Sequence, residues 1–182
     1  MSHYINDLEY FLIDETEISE IVARLAGEIN SKFTDKLLVV GILKGAFVFM
    51  SDLIRKLTIP IQIDFIQISS YGSGSKSSGN LQFKLDIKSD LTSADVLIVE
   101  DIIDSGRTLK ALTSLLKSRG AKSVTTCVLL DKIERREVEY IPDLVGKEIP
   151  DVFVVGYGLD YSEKYREFPY IGVLKESVYK QI

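Results

Sequence analysis

The sequence predicts an α/β fold: an open, mostly parallel twisted sheet with helices on both faces and a small β excursion around a mobile loop. Three observations lead there. Short, almost wholly apolar runs recur at "KLLVVGIL" (36–43), "DVLIVE" (95–100) and "SVTTCVLLD" (123–131), as strands buried on both faces require. Amphipathic segments alternate with them, and a strand–helix–strand succession implies right-handed crossovers between parallel neighbours. The chain has 182 residues, 46% of them hydrophobic, which is enough for one domain with a sizeable core.

The elements follow in order. In "DETEISEIVARLAGEIN" (14–30), Asp14 and Glu17 make a capping-box pattern, and Ile18, Ile21, Val22, Leu25 and Ile29 repeat at helical spacing. The strand at 36–43 is followed by a helix in "AFVFMSDLIRKL" (46–57), stopped by Pro60. In "IQIDFIQIS" (61–69), Ile61, Ile63 and Phe65 alternate with polar residues. The phase then slips by one at Ile66 and Ile68, which predicts a bulge or a strand end buried on both faces. Leu81, Phe83, Leu85 and Ile87 alternate more strictly and predict an antiparallel partner strand with one wet face. The Gly- and Ser-rich "SYGSGSKSSGN" (70–80) between them is long for a hairpin loop, and its composition predicts mobility. "DVLIVE" is a buried strand, "RTLKALTSLLKSRG" (107–120) an amphipathic helix with Gly120 at its C′ position, and "SVTTCVLLD" and "DVFVVGY" (151–157) two further strands.

Composition excludes several classes of function. A formal net charge of −5 argues against a nucleic-acid grip built on bulk positive charge. Cys127 is the single cysteine and lies in an apolar run, so disulfides and cysteine metal sites are out and a buried free thiol is expected. His3 is the single histidine, so neither a Ser-His-Asp triad nor a histidine-rich metal site can be built. "MSHYINDLEY" lacks the basic-then-apolar pattern of a secretory signal, and no apolar stretch approaches the ~20 residues of a membrane span. The expectation is a soluble cytoplasmic protein.

One junction carries the chemistry. "VLIVEDIIDSGRTLKAL" (96–112) runs an apolar strand into Glu100, Asp101 and Asp104 and then into a small polar turn before a helix. In open α/β sheets ligands collect beyond the carboxyl ends of the strands, and unpaired amides at a helix start favour an anion. Gly106 lets the backbone come close, and Ser105 and Thr108 add hydroxyl donors, so the turn suits a phosphate monoester. Glu100 and Asp101 are natural acceptors for a vicinal diol or for waters around Mg²⁺, and Asp104 for a proton. The plainer alternative is a polar βα loop in which Asp104 or Ser105 caps the helix. No G-x-x-x-x-G-K-[ST] exists, and "GSGSKSSG" leads into a strand rather than a helix, so neither common nucleotide motif applies.

"VLIVEDIIDSGRTL" resembles the phosphoribosyl pyrophosphate signature of the type I phosphoribosyltransferases. "GILKGAFVF" (41–49), "SSYGS" (69–73), "LLDK" (129–132) and "PDVFVVGYGLDYSEKYRE" (150–167) narrow the resemblance to the hypoxanthine-guanine phosphoribosyltransferases, in family order and over nearly the whole chain. The resemblance implies one domain, residues 1–182, with a small hood formed by the N-terminal segment and roughly 150–182. It implies Mg²⁺-dependent transfer of a phosphoribosyl group from phosphoribosyl pyrophosphate to N9 of a 6-oxopurine. Glu100 and Asp101 would hold the ribose hydroxyls and a Mg²⁺ ion, with Asp160 helping to hold a second. Asp104 would face N7 of the purine as general acid/base. Ser105, Gly106, Arg107 and Thr108, with Asp104, would bind the 5′-phosphate. Lys132 would read the 6-oxo group, Phe153 stack on the base, and Val154 and Asp160 line its edge. Leu43, Lys44, Gly45 and Arg166 would grip pyrophosphate, with a cis peptide at Leu43-Lys44. Ser70 and Tyr71 would close as a lid, and the protein would be a homodimer or homotetramer, binding neither nucleic acid nor membrane.

Taken singly, most of these residues have plainer readings: Phe153 in a strand as core, Lys132 in "KIERRE" as a solvated face, Lys44 as a solvated strand end. Two rival functions also stand. One is a regulatory protein that senses phosphoribosyl pyrophosphate without chemistry. The other is a transferase preferring xanthine or guanine.

Overall fold

The structure, a computed structural model, describes residues 4–69 and 82–180. The loop at 70–80 with Ser70 and Tyr71, together with His3 and Leu81, lies outside the described residues. In chain order the elements are β1 (Leu8–Ile13), α1 (Glu15–Lys32), β2 (Leu37–Ile42), α2 (Phe47–Ile54), β3 (Ile61–Ser69), β4 (Gln82–Leu85), β5 (Asp95–Ile103), α3 (Arg107–Ser118), β6 (Ser123–Asp131), β7 (Leu144–Glu148), β8 (Val154–Val155), β9 (Ile171–Leu174) and α4 (Glu176–Tyr179).

The main sheet has the order β4-β3-β2-β5-β6-β7, parallel throughout except for β4 against β3. Its two faces follow from the period of two along each strand. Leu37, Val39, Leu97, Val99, Cys127 and Leu129 point to one side and pack with Ile18, Ile21, Val22, Leu25 and Ile29 of α1 and Phe49, Met50 and Leu53 of α2. Leu38, Val40, Val96, Ile98 and Val128 point to the other and pack with Leu109, Leu112 and Leu116 of α3. Helices therefore cover both faces, as expected. Cys127 is a free, buried thiol whose pKa burial pushes up.

Local chemistry explains the boundaries. The Asp14 carboxylate accepts the Glu17 amide at 2.8 Å, so α1 starts where its cap dictates. The phase slip in β3 appears as a register shift at Gln67/Ile68 against β4. α2 is shorter than its apolar spacing suggested: after Ile54 the chain turns through Lys56 N–H to Leu53 O and Leu57 N–H to Ile54 O, well ahead of Pro60.

The structure corrects two strand expectations. "DVFVVGY" is not a strand of the main sheet; only Val154–Val155 is extended, and it pairs antiparallel with β9. The sixth main-sheet strand is β7, "LVGKE", whose glycine and charges break the apolar run that marked its neighbours. β1, β9 and β8 form a separate three-stranded antiparallel sheet, with Leu8 opposite Leu174 and Ile13 opposite Ile171. Beneath it lies an aromatic-rich cluster that includes Tyr165, Phe168, Phe153 and Tyr179.

Strand order decides where a ligand can enter. β2 leads through α2 to β3 on one side, whereas β5 leads through α3 to β6 on the other. The crossovers part between β2 and β5, opening a crevice at their carboxyl ends. β5 also outruns β2: their pairing ends at Gly41↔Val99, while β5 continues beside β6 to Asp131. Glu100, Asp101 and Asp104 follow that point.

The side chain of Leu25 is fully buried between α1 and the sheet, so Leu25→Ala is expected to lower unfolding stability by about 2–5 kcal/mol. Asp14→Ala, which removes only the cap, is expected to cost about 1 kcal/mol. Urea unfolding of the two variants should return that order.

Candidate active site

The crevice is built by close approach of backbone to carboxylate. A Cβ added to Gly45 would lie 1.7 Å from Asp101 Oδ2, so only glycine lets the turn after β2 reach the acids of β5. The Leu43-Lys44 peptide just before it is cis. Gly158 closes the same corner: with φ +102 its position favours glycine, and a Cβ there would meet the Gly45 carbonyl oxygen at 2.2 Å. Three segments distant in sequence, around residues 45, 101 and 158, thus converge.

Asp101 is buried and Glu100 half-buried. Burial raises both carboxyl pKa values, that of Glu100 well above the usual range, and the neighbouring Asp101 adds to the effect on Glu100. Neither acid has an ion-pair partner in hydrogen-bonding contact among the described residues; Arg166 acts on Asp101 only through its field. Two adjacent acids left in this state are poised for a cation or for hydroxyl donors.

The turn that follows starts α3. Gly106 is the N-cap residue at φ +79 and has no side chain to cap with; Ser105 Oγ accepts the Arg107 amide at a long 3.4 Å. Ser105 thus caps the helix start only weakly, and the 12-residue helix that begins there has a dipole that favours an anion. Asp104 is about half exposed, and Lys132, almost wholly buried, brings its Nζ to 3.8 Å from Asp104 Oδ1. Lys132 sits there because β6 ends at Asp131 beside Ile103, and its own amide donates to the Ile103 carbonyl at 3.0 Å. The plainer reading of Lys132 as a solvated face is thereby ruled out.

The cations expected around a second anion lie on the far wall. Lys44 Nζ is 3.0 Å from Glu163 Oε2. Arg166 donates to the Gly158 carbonyl at 2.7 Å and pairs with Asp160 Oδ1 at 2.8 Å, while Asp160 Oδ2 accepts the Glu163 amide at 2.9 Å. Asp160 thus spends both oxygens on positioning its own loop. The Arg166 Nε is buried and has no hydrogen-bond partner among the described residues.

Phe153 belongs to the aromatic cluster and not to the main core. It stacks on Tyr179 at 4.8 Å and 24° and meets the edge of Tyr161 at 5.6 Å. Val154 is buried in β8. One contributor had no distinctive signal in the sequence: Arg136, within "KIERRE", donates 2.7 Å to the Asp104 carbonyl and pairs with buried Asp131 at 2.5 Å.

Known proteins resemble this chain over nearly its whole length. The phosphoribosyl transferase domain family matches residues 13–162. The hypoxanthine-guanine phosphoribosyltransferase of Bacillus subtilis is 47% identical, over 96% of this chain and 98% of its own. That of Staphylococcus aureus is 48% identical, over 96% and 98%. A crystal structure of a hypoxanthine phosphoribosyltransferase from Staphylococcus aureus superposes with a TM-score of 0.94 at 46% identity, covering 98% of this chain and 97% of that one.

Because a Cβ at residue 158 collides with the Gly45 carbonyl, Gly158→Ala is expected to destabilise the fold by more than about 1 kcal/mol. The amides of residues 44 and 45 should also exchange faster with solvent. Wild-type exchange there, at unchanged stability, would mean that the three segments do not depend on this contact.

Proposed function

The chain belongs to the phosphoribosyl transferase family, and we propose that it transfers the phosphoribosyl group of phosphoribosyl pyrophosphate to N9 of hypoxanthine or guanine, releasing pyrophosphate, in purine salvage. The observation that carries this reading is the single βα junction where a buried and a half-buried acid, without an ion-pair partner among the described residues, meet a weakly capped helix start and a buried lysine.

In this reading Glu100 and Asp101 accept the two ribose hydroxyls, and the turn 104–108 takes the 5′-phosphate on its amides and on the Ser105 and Thr108 hydroxyls. Arg107 already holds Glu137 at 2.7 Å and so flanks the cradle on its outer side. Lys44 and Arg166 take the pyrophosphate; the exposed Glu163 that now shares them is the group an incoming anion would displace. Phe153 stacks on the base, beside the Val154 backbone, supported by its own stacking on Tyr179. Lys132 donates to the 6-oxo group and Asp104 exchanges a proton at N7. Ser70 and Tyr71 would close over the leaving group.

The acids fit a magnesium ion. Mg²⁺ commonly takes one or two carboxylates and completes its shell with water and substrate phosphates, which agrees with the lack of a cluster of three acidic ligands among the described residues. Its charge would offset the cost of burying Glu100 and Asp101, and when bound it neutralises charge on the leaving pyrophosphate. Asp160 fits a second ion less well, since both its oxygens already serve Arg166 and Glu163; its better-supported task is to hold Arg166.

Breaking the bond at C1 of the ribose develops oxocarbenium character while charge builds on pyrophosphate. The acids stabilise the sugar side and the cations the leaving side, so no covalent nucleophile is needed. The same reading makes residues 1–182 one domain, with a hood from the N-terminal segment and roughly 150–182; the pairing of β1 with β9 and of β9 with β8 supports it. It also makes the protein cytoplasmic and a homodimer or homotetramer. No helix among the described residues is long and apolar enough to cross a membrane.

Asp104→Asn is expected to lower kcat by about 10²-fold or more, with a much smaller change in KM for phosphoribosyl pyrophosphate. An unchanged kcat across the pH range would remove Asp104 from proton transfer. Adenine should be a very poor substrate, because the Lys132 ammonium has only donors and a 6-amino group also presents donors, with no acceptor for them. Steady-state rates with hypoxanthine, guanine, xanthine and adenine test this directly, and pyrophosphate release would exclude a non-catalytic sensor.

A further inference from the structure

Arg136 lies on no regular element, yet it reaches under the turn that begins α3. Nη1 donates to the Asp104 carbonyl at 2.7 Å, Nη2 to Asp131 Oδ1 at 2.5 Å, and the guanidinium end is largely buried. The side chain runs directly beneath Gly106, whose added Cβ would sit 2.9 Å from Arg136 Cδ. The next residue continues the pattern, since the Glu137 amide donates to the Ser105 carbonyl at 3.0 Å. With the Lys132 amide on the Ile103 carbonyl, the carbonyls of 103, 104 and 105 all take donors from the single segment 132–137.

That pattern has a geometric consequence. In a trans peptide the C=O of one residue and the N–H of the next point in opposite directions. Drawing the carbonyls of 104 and 105 down toward Arg136 and Glu137 turns the amides of 105 and 106 up, into the crevice. It also keeps two carbonyl dipoles from facing an incoming anion with the wrong sign.

We propose that Arg136 is a positioning residue for phosphoribosyl pyrophosphate: it holds the Asp104–Ser105 peptide in the orientation that presents its amide to the 5′-phosphate. The proposal rests on the functional reading above. Arg suits the task because its planar fork serves the Asp104 carbonyl and the Asp131 carboxylate at once, whereas a lysine head is a single point charge that would settle on Asp131.

The competing account is that Arg136 only neutralises the buried Asp131. Steady-state kinetics of the full chain with phosphoribosyl pyrophosphate and hypoxanthine varied separately distinguish the two. R136K keeps the charge beside Asp131 but gives up the Asp104 bond, and is expected to raise KM for phosphoribosyl pyrophosphate about tenfold or more, with KM for hypoxanthine within about threefold. D131N keeps an acceptor for Nη2 and leaves Nη1 on the Asp104 carbonyl, so its KM values should stay within about threefold of wild type. Should R136K fail to fold, the double variant D131N/R136M, which removes both buried charges together, carries the same expectation as R136K. A wild-type KM for phosphoribosyl pyrophosphate in R136K or in the double variant overturns the proposal, as does a loss in D131N equal to that in R136K. A wild-type protein that forms no nucleotide overturns the functional reading instead, and this inference with it.

Discussion

Two adjacent carboxylates at the end of a central strand, Asp101 buried and Glu100 half-buried, are the constraint around which the rest is arranged. Glu100 and Asp101 could each be moved into water by a slightly shorter β5, and stability alone would favour that. The fold keeps them in. β5 outruns β2, the turn at Gly45 closes over Asp101 without room for a side chain, and Gly158 locks that turn from above. Two close-packed glycine positions serve acids that have no counter-charge in direct contact among the described residues. Such an arrangement makes sense where the missing partner arrives with the ligand.

The opposite wall shows the complementary state. Lys44 and Arg166 are paired, but with Glu163, which is largely exposed, and Arg166 also with Asp160. Exposed ion pairs are worth little and exchange readily for a better anion. The crevice therefore has an acid side in need of positive charge and donors, and a basic side whose contacts to exposed Glu163 are weak. A substrate that carries a sugar diol, two phosphate groups and an associated cation satisfies both walls at once.

Much of this was legible in the sequence. The apolar runs at 36–43, 95–100 and 123–131 had only one good structural outcome, and the helices between them only two faces to cover. The polar junction at 100–108 stood out because three acids there interrupt an apolar strand and a helix start. What escaped was of two kinds. β7 and the small sheet are short strands whose glycines and charges dilute the period-two signal, and β8 turned out to be two residues of a longer apolar run that bends away through Gly156 and Tyr157, both at positive φ. Arg136 escaped for a different reason. In "KIERRE" nothing separates an arginine that faces water from one that reaches under a backbone turn; the difference is made by Asp131 and Asp104, which tertiary structure alone brings to it.

The small antiparallel sheet bears on how the molecule assembles. Leu8 pairs with Leu174 and Ile13 with Ile171, so β1 waits for a partner that lies almost the whole chain away. The main sheet grows by neighbouring crossovers, each closing a modest loop, whereas this pairing closes the longest loop in the structure and gains nothing until β9 is available. Loop-closure entropy thus favours an order in which the α/β layers form before the small sheet. In that order Phe153 and the 156–166 turns, which hang from that sheet, are the final part of the crevice to take shape. Under the proposed function, the chain would then acquire its acids and phosphate turn first and its base platform last.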